Sequence, residues 1–415
     1  MKRMRWLALG TAALTAATLA GCSSSAPGDG GTTATELTVW VMGDSSAHFD
    51  ALVKPFEDKT GIDVKTVAIP WDSVDQKFTT AVASGDGPDV LQIGLSKLRT
   101  YADSGALLTL DEATLSGHEN LAASRFVDGV AGDATAIGGK VVSVPWVSDT
   151  RVLFYRSDIL EAAGISTPPA TWDQLRADAK TLAGRGDGSY GYYIPQWDSA
   201  LPVIMTWDQG GDIVDGQGKI DFDTPAFGKA VDLYTGLYAD KSVPTNSDFD
   251  QTQGFITGST PMLVSGPYLA AAISQSAPEL AGKWNVTTVP SGAKDTSLLA
   301  GSNLGVWGST KNKDGALQLL DYLSQPDVQV SWYQSDGQLP TVKAALTDSA
   351  LTSDPMVSVY TKQLASSRLL PLVPNWDGET GKALLDALNS IVLTGANRDE
   401  ALTTLFTTTA GTPAN

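Results

Sequence analysis

Trp146, Asp149 and Arg151 stand close together in the stretch Val144-Pro145-Trp146-Val147-Ser148-Asp149-Thr150-Arg151-Val152-Leu153-Phe154-Tyr155. An indole face packs against the apolar C–H face of a sugar ring, and a planar carboxylate–guanidinium pair bonds adjacent hydroxyls. These three residue types suit recognition of a polyhydroxylated molecule. Pro145 cannot donate a ladder hydrogen bond, so it is expected to end the strand-like run Lys140–Val144, with Val152–Tyr155 as the next strand. The insert between them then reads as a crossing between two lobes, with a ligand cleft beside it.

Catalytic chemistry finds little support. His48 and His118 are the only histidines and have no partners at metal-ligand spacing, so neither a metal nor a cofactor is expected. Gly43-Asp44-Ser45 resembles the nucleophile block of some lipid and sugar esterases, but no histidine follows His118 to serve as its base. No Gly-x-Ser-x-Gly elbow is present. The 46 acidic residues make some carboxylate pair inevitable, yet nothing singles out a glycosidase pair. The sequence reads as a binding protein and not an enzyme.

Among the 11 tryptophans, Trp172, Trp284, Trp307 and Trp332 fall inside helix or strand patterns and read as packing residues. Trp40, Trp71, Trp197 and Trp376 lie at strand ends or in loops, where a ring either meets a ligand or packs. Asp72 and Asp377 follow two of these rings. Each suits a ligand hydroxyl or, equally, the first turn of a helix, where the dipole favours a carboxylate. Gln92, near the end of an apolar strand, is open to the same two readings.

Lys2, Arg3 and Arg5, the apolar Trp6–Ala20 and the lipobox Leu19-Ala20-Gly21-Cys22 make residues 1–21 a lipoprotein signal peptide. Cys22, the sole cysteine, is the expected lipidation site, and 22–35 is a Ser/Gly/Thr-rich tether. An exported protein anchored to the outer face of the cell membrane follows. The formal charge of −18 excludes nucleic acid as a partner. Beyond the tether, 36–42, 62–69 and 88–94 read as strands alternating with helices at 48–59 and 71–83, which is the pattern of an α/β lobe. Further helices are expected at 171–182, 225–238, 315–323, 327–332, 355–365, 378–392 and 399–408. Strands are expected at 190–194, 260–265 and 284–289.

Taken together, these segments resemble the family 1 extracellular solute-binding proteins, the carbohydrate-binding components of ABC importers of the maltose-binding type. The likeness runs over about residues 36–410. It rests on Val39-Trp40-Val41-Met42-Gly43-Asp44, Gly87-Pro88-Asp89-Val90, Pro145-Trp146-Val147-Ser148-Asp149, Gly210-Gly211, Gly266-Pro267-Tyr268, Gly301-Ser302-Asn303-Leu304, and Gly395-Ala396-Asn397 with Glu400-Ala401-Leu402. The resemblance implies a two-lobed α/β periplasmic-binding-protein fold with hinge crossings near 145–151, 300–305 and 347–354. One lobe would hold 36–146 and 305–347, the other 150–303 and 354–410. It implies a monomer that closes on a sugar and hands it to an ABC permease. Asp44 and Asp149 take positions that bond the sugar in maltose-type relatives. Tyr268 takes a stacking position where Trp is common, and Asn303 lies at a crossing. Arg151 stands where maltose binders carry an apolar residue. The mixture of aromatics, Asp, Gln, Asn and one Arg suits a neutral di- or oligosaccharide, with a non-sugar solute as the alternative.

Overall fold

The computed structural model describes residues 35–414, with Asp44, Ser247 and the Asp133 side chain excepted. The signal peptide, Cys22, most of the tether and Asp44 therefore lie outside the described residues. β1 (Glu36–Met42) buries Leu37, Val39 and Val41 in one core and Trp40 and Met42 in another. A strand buried on both faces belongs inside a helix-covered sheet. It pairs in parallel with β2 (Asp63–Ile69) and β3 (Val90–Gly94). A small hairpin, β4 (Ala136–Ile137) with β5 (Lys140–Val141), leads into β6 (Val144–Thr150).

Arg151 alone separates β6 from β7 (Val152–Tyr155), which belongs to a second sheet. There β7 lies between β8 (Met262–Ser265) and β9 (Asn285–Thr287), antiparallel to both. β10 (Ser297–Val306), β11 (Leu339–Pro340) and β12 (Ser367–Leu369) return to the first sheet, whose order is β11-β6-β10-β3-β1-β2 with β12 also on β10. The larger sheet and its helices form one lobe. The smaller sheet, with the helices Trp172–Ala183, Ala200–Asp208, Pro225–Ala239, Thr380–Asn389 and Arg398–Thr409, forms the other. Leu153, Met262 and Val264 of that sheet lie in a core with these helices, while Val152, Phe154, Leu263 and Val286 cluster with the core of the larger sheet.

Two expectations about the crossings need correction. β6 runs straight through Pro145, because the register against β10 shifts between Ser302 and Asn303 and the missing amide falls at that irregularity. β10 lies in the larger sheet from Ser297 onward, so the second passage comes at 288–296 and not near 300–305. The small residues that suggested a crossing serve close strand approach instead: Gly301 has φ +122°, and a Cβ there would sit 2.0 Å from the Val147 carbonyl oxygen. Beyond the third passage, the helix Pro355–Leu364 packs on strands of both sheets.

Local signals explain most helix ends. Thr171 accepts a hydrogen bond from the Gln174 amide, and the Gln174 side chain accepts one from the Ala170 amide, starting the helix Trp172–Ala183. The helix Ala200–Asp208 escapes periodicity because every one of its residues is buried. The expected strand at 190–194 pairs with β8 only through a Tyr193–Leu263 bridge.

Candidate ligand-binding site

Trp71 follows β2 and lies across the carboxyl ends of β1 and β3. A Cβ on Gly43 or on Gly94 would come 3.2 Å from its indole. Two glycines let the ring settle onto the strand ends, and it remains 48% exposed. Asp72 beside it is exposed, bonded to the Ser73 hydroxyl at 2.8 Å, two residues before the helix Val74–Ser84.

Asp149 and Arg151 meet at the junction of the sheets, Arg151 Nη1 donating to Asp149 Oδ2 at 3.0 Å. Pairing residues two apart on an extended strand needs one wall to give way. Gly266 supplies that room, since a Cβ there would stand 2.7 Å from both Asp149 oxygens and from Arg151 Nη1. The Arg151 guanidinium lies 5.8 Å from the ring centre of Tyr268. Tyr268 opens the helix Tyr268–Ser276 and accepts a hydrogen bond from Ser265 at 3.0 Å, with 37% of its surface exposed. Burial pushes the Asp149 carboxyl above its ordinary value, and Arg151 pulls it back without cancelling the effect. Burial also works against the Arg151 charge, but Asp149 outweighs it and holds the guanidinium charged. Asp149 Oδ1 is buried and has no hydrogen-bond partner among the described residues. A ligand hydroxyl is the kind of donor it lacks.

Trp197 is 61% exposed on a loop held by two bonds: Gln196 Nε2 to the Thr245 carbonyl at 3.0 Å, and Asn389 Nδ2 to the Gln196 carbonyl at 2.9 Å. Ser199 on the same loop accepts a hydrogen bond from Trp376 Nε1 at 3.0 Å.

Five of the expected site residues prove to be internal. Trp146 lies on β6 in the core, edge-on to Phe49 and against Trp332, because the strand does not stop at Pro145. Trp376 fills the smaller lobe's core. Trp40 is buried beneath Lys77, whose Nζ lies 5.0 Å from the ring centre. Gln92 is a sheet tie: where β1–β3 pairing ends at Trp40 and Leu91, its side chain accepts from the Met42 amide at 3.0 Å and donates to Ser302 Oγ at 2.7 Å. Asn303 Nδ2 donates to the Ala134 carbonyl and to Ser143 Oγ, fastening the chain that leads into β6. Both amides are buried and already bonded to neighbouring groups, which fixes them as structural ties.

Ser45 Oγ donates to Asp336 Oδ2 at 3.1 Å, while His48 Nδ1 bonds the other oxygen of the same carboxylate at 2.9 Å. The carboxylate stands between serine and histidine, so the imidazole is not placed to take the serine proton. Among the described residues no group of three His, Cys, Asp or Glu could hold a metal ion, and no helix is long and apolar enough to cross a membrane. Sequence reasoning missed Ser96, Lys97 and Asp336. The first two follow Gly94 at the carboxyl end of a strand, where α/β sheets place ligand contacts. The Asp336 contacts link residues 288 and 291 positions apart, and nothing local announces them.

Comparison with known proteins bears on the fold and the family. The diacetylchitobiose binding protein DasA of Streptomyces coelicolor is 28% identical over 393 residues, covering 91% of this chain and 90% of its own. The sugar-binding protein MalE of Xanthomonas citri superposes with a TM-score of 0.80 at 26% identity, covering 90% of this chain and 96% of its own. The GacH receptor of Streptomyces glaucescens, solved unliganded and with acarbose, gives 0.82 at 25% identity, with 91% and 97% covered. The family model described as bacterial extracellular solute-binding protein matches residues 41–330, and this chain belongs to that family, the solute-binding components of ABC importers.

Proposed function

We propose that the protein captures a neutral saccharide of two or more units in the cleft at the junction of the two sheets. The observation that carries this is the exposed Tyr268 ring beside the buried Asp149–Arg151 pair. Two further rings are left open, Trp71 on the strand ends of the larger sheet and Trp197 on a loop of the smaller lobe. Large apolar side chains are normally covered in a folded protein. A ring left open beside an unsatisfied carboxylate oxygen offers a face for a sugar ring and an acceptor for a hydroxyl. More than one ring face suits more than one sugar unit. The relatives support the substrate class: DasA is described as binding diacetylchitobiose and GacH was solved with acarbose.

In this reading the lobes open and close about the passages between the sheets, and a sugar touching both favours the closed form. Trp71 and, by the family likeness, Asp44 serve the larger lobe, Trp197 and Tyr268 the smaller, with Asp149 and Arg151 between them. The closed protein then docks on an ABC permease. The lipobox supports export and anchoring to the outer face of the membrane through Cys22.

The reading is tested by thermal shift with mono-, di- and trisaccharides of glucose, galactose and xylose, with amino acids and short peptides as controls. A true ligand at 100 times its dissociation constant adds about 2.7 kcal/mol, enough to raise Tm by several degrees. A response confined to di- or trisaccharides is expected. A response only to a peptide or amino acid keeps the family and overturns the ligand.

A further inference from the structure

We propose that Lys97 and Asp377 form a clasp between the two lobes that holds the cleft toward closure without touching the ligand. The consequence for binding rests on the cleft reading above; the clasp itself does not. Lys97 lies on the short turn after β3, in the larger lobe, with its side chain 13% exposed. Its Nζ donates to Asp75 Oδ2 at 2.8 Å within that lobe and to Asp377 Oδ2 at 2.9 Å from the other. Ser96 Oγ donates to the same Asp377 oxygen at 3.0 Å.

Asp377 is presented by a turn rooted in the smaller lobe. Its neighbour Trp376 is buried in that core and bonded to Ser199. On the other side of Trp376, Asn375 takes a left-handed φ of +51°, and its amide donates to Thr100 Oγ1 of the larger lobe at 2.9 Å. That backbone is costly for a residue with a side chain, and bonds from the Gly378 amide to Asn375 Oδ1 and from Asn375 Nδ2 to Glu379 hold it. Further along the larger lobe's helix Leu98–Asp103, Arg99 Nη1 reaches the Leu372 carbonyl at 3.5 Å. The contacts thus run along one side of a single turn. They also sit beside the Trp71 platform, since Gly94 under that ring is only two residues from Ser96.

Lys97 does little for either lobe alone that Asp75 does not already supply. Its second carboxylate is the interlobe one, and an ammonium between two carboxylates is a stronger tie than an exposed pair. Burial works against the Lys97 charge, and its bonds to Asp75 and Asp377 outweigh that and keep it protonated.

The test reads lobe separation directly and needs no ligand, so it stands or falls apart from the sugar reading. Spin labels are placed at Asp58→Cys and Thr403→Cys, exposed positions on helices of opposite lobes, in the full chain carrying Cys22→Ser. Inter-label distances are measured by pulsed EPR for the parent, Lys97→Met, Asp377→Asn and the double variant. Each single variant is expected to shift the distribution to longer distances, and the double variant to shift it no further than the larger single, as for partners in one contact. High salt is expected to shift the parent the same way by less. Unchanged distributions in both singles overturn the clasp, as do two shifts that simply add.

Discussion

Trp146 and Trp71 both adjoin a strand of the larger sheet, and they end in opposite surroundings. Trp146 is 2% exposed and meets Phe49 edge-on at 6.2 Å and Trp332 at 5.4 Å. Trp71 rests on glycines, which cover its underside and leave the other face open. The difference lies in what each ring packs against. Beneath Trp146 stand other aromatics that complete a core, while beneath Trp71 the side chains have been removed. A ring on a glycine floor is positioned without being consumed by packing.

Truncating Trp146 puts this contrast to its most severe test. Trp146→Ala deletes a fully buried indole and is expected to cost about 3–5 kcal/mol of stability in urea unfolding. Stability close to the parent's would mean the ring is not part of the core. Trp71→Ala should behave in the opposite way. Its stability is expected to stay within about 0.5 kcal/mol of the parent, while the saccharide found by thermal shift binds about tenfold more weakly, a loss of roughly 1.4 kcal/mol. Calorimetric affinity equal to the parent's would remove Trp71 from the site.

This pair also shows what could be read in the sequence. Strand and helix positions followed from periodicity: β1 was expected at 36–42 and is found there, and the 171–182 helix lies within one residue of its expected place. Those signals are local. The fate of Trp146 was not local, because it depended on whether Pro145 ended β6, and pairing with β10, some 150 residues later, carries β6 through the proline with Trp146 as the extra residue of the bulge. Gln92 and Asn303 misled in the same way: amides near strand ends look like ligand contacts until the neighbouring backbone groups they satisfy are in view. Asp149 and Arg151 were legible as a pair from one short stretch, whereas Tyr268, more than a hundred residues on, joined them only through the family resemblance.

Buried carboxylates divide as the tryptophans do. Asp149 sits at the sheet junction with one oxygen unpartnered, whereas Asp208 lies inside the smaller lobe with both oxygens used, by Trp172 Nε1 at 2.9 Å and the Thr296 amide at 2.7 Å. Burial nevertheless pushes Asp208 up to about 8, its two donors resisting. A folded-state value above the unfolded one means that the bound proton stabilises the fold. That contribution is fully present below about pH 4 and is lost as pH rises toward 8. Asp208→Asn cannot titrate, and its NH2 must oppose one of the two donors, so the variant is expected to be about 1 kcal/mol less stable than the parent at pH 5. Between pH 5 and pH 8 the parent loses more than that advantage, so the gap should close and reverse in sign. Groups common to both proteins, Asp149 included, cancel in this difference. Urea unfolding of the two at pH 5 and pH 8 decides the matter: a gap of the same size at both would mean that Asp208 is ionised throughout, held by its two donors as tightly as an open carboxylate is held by water.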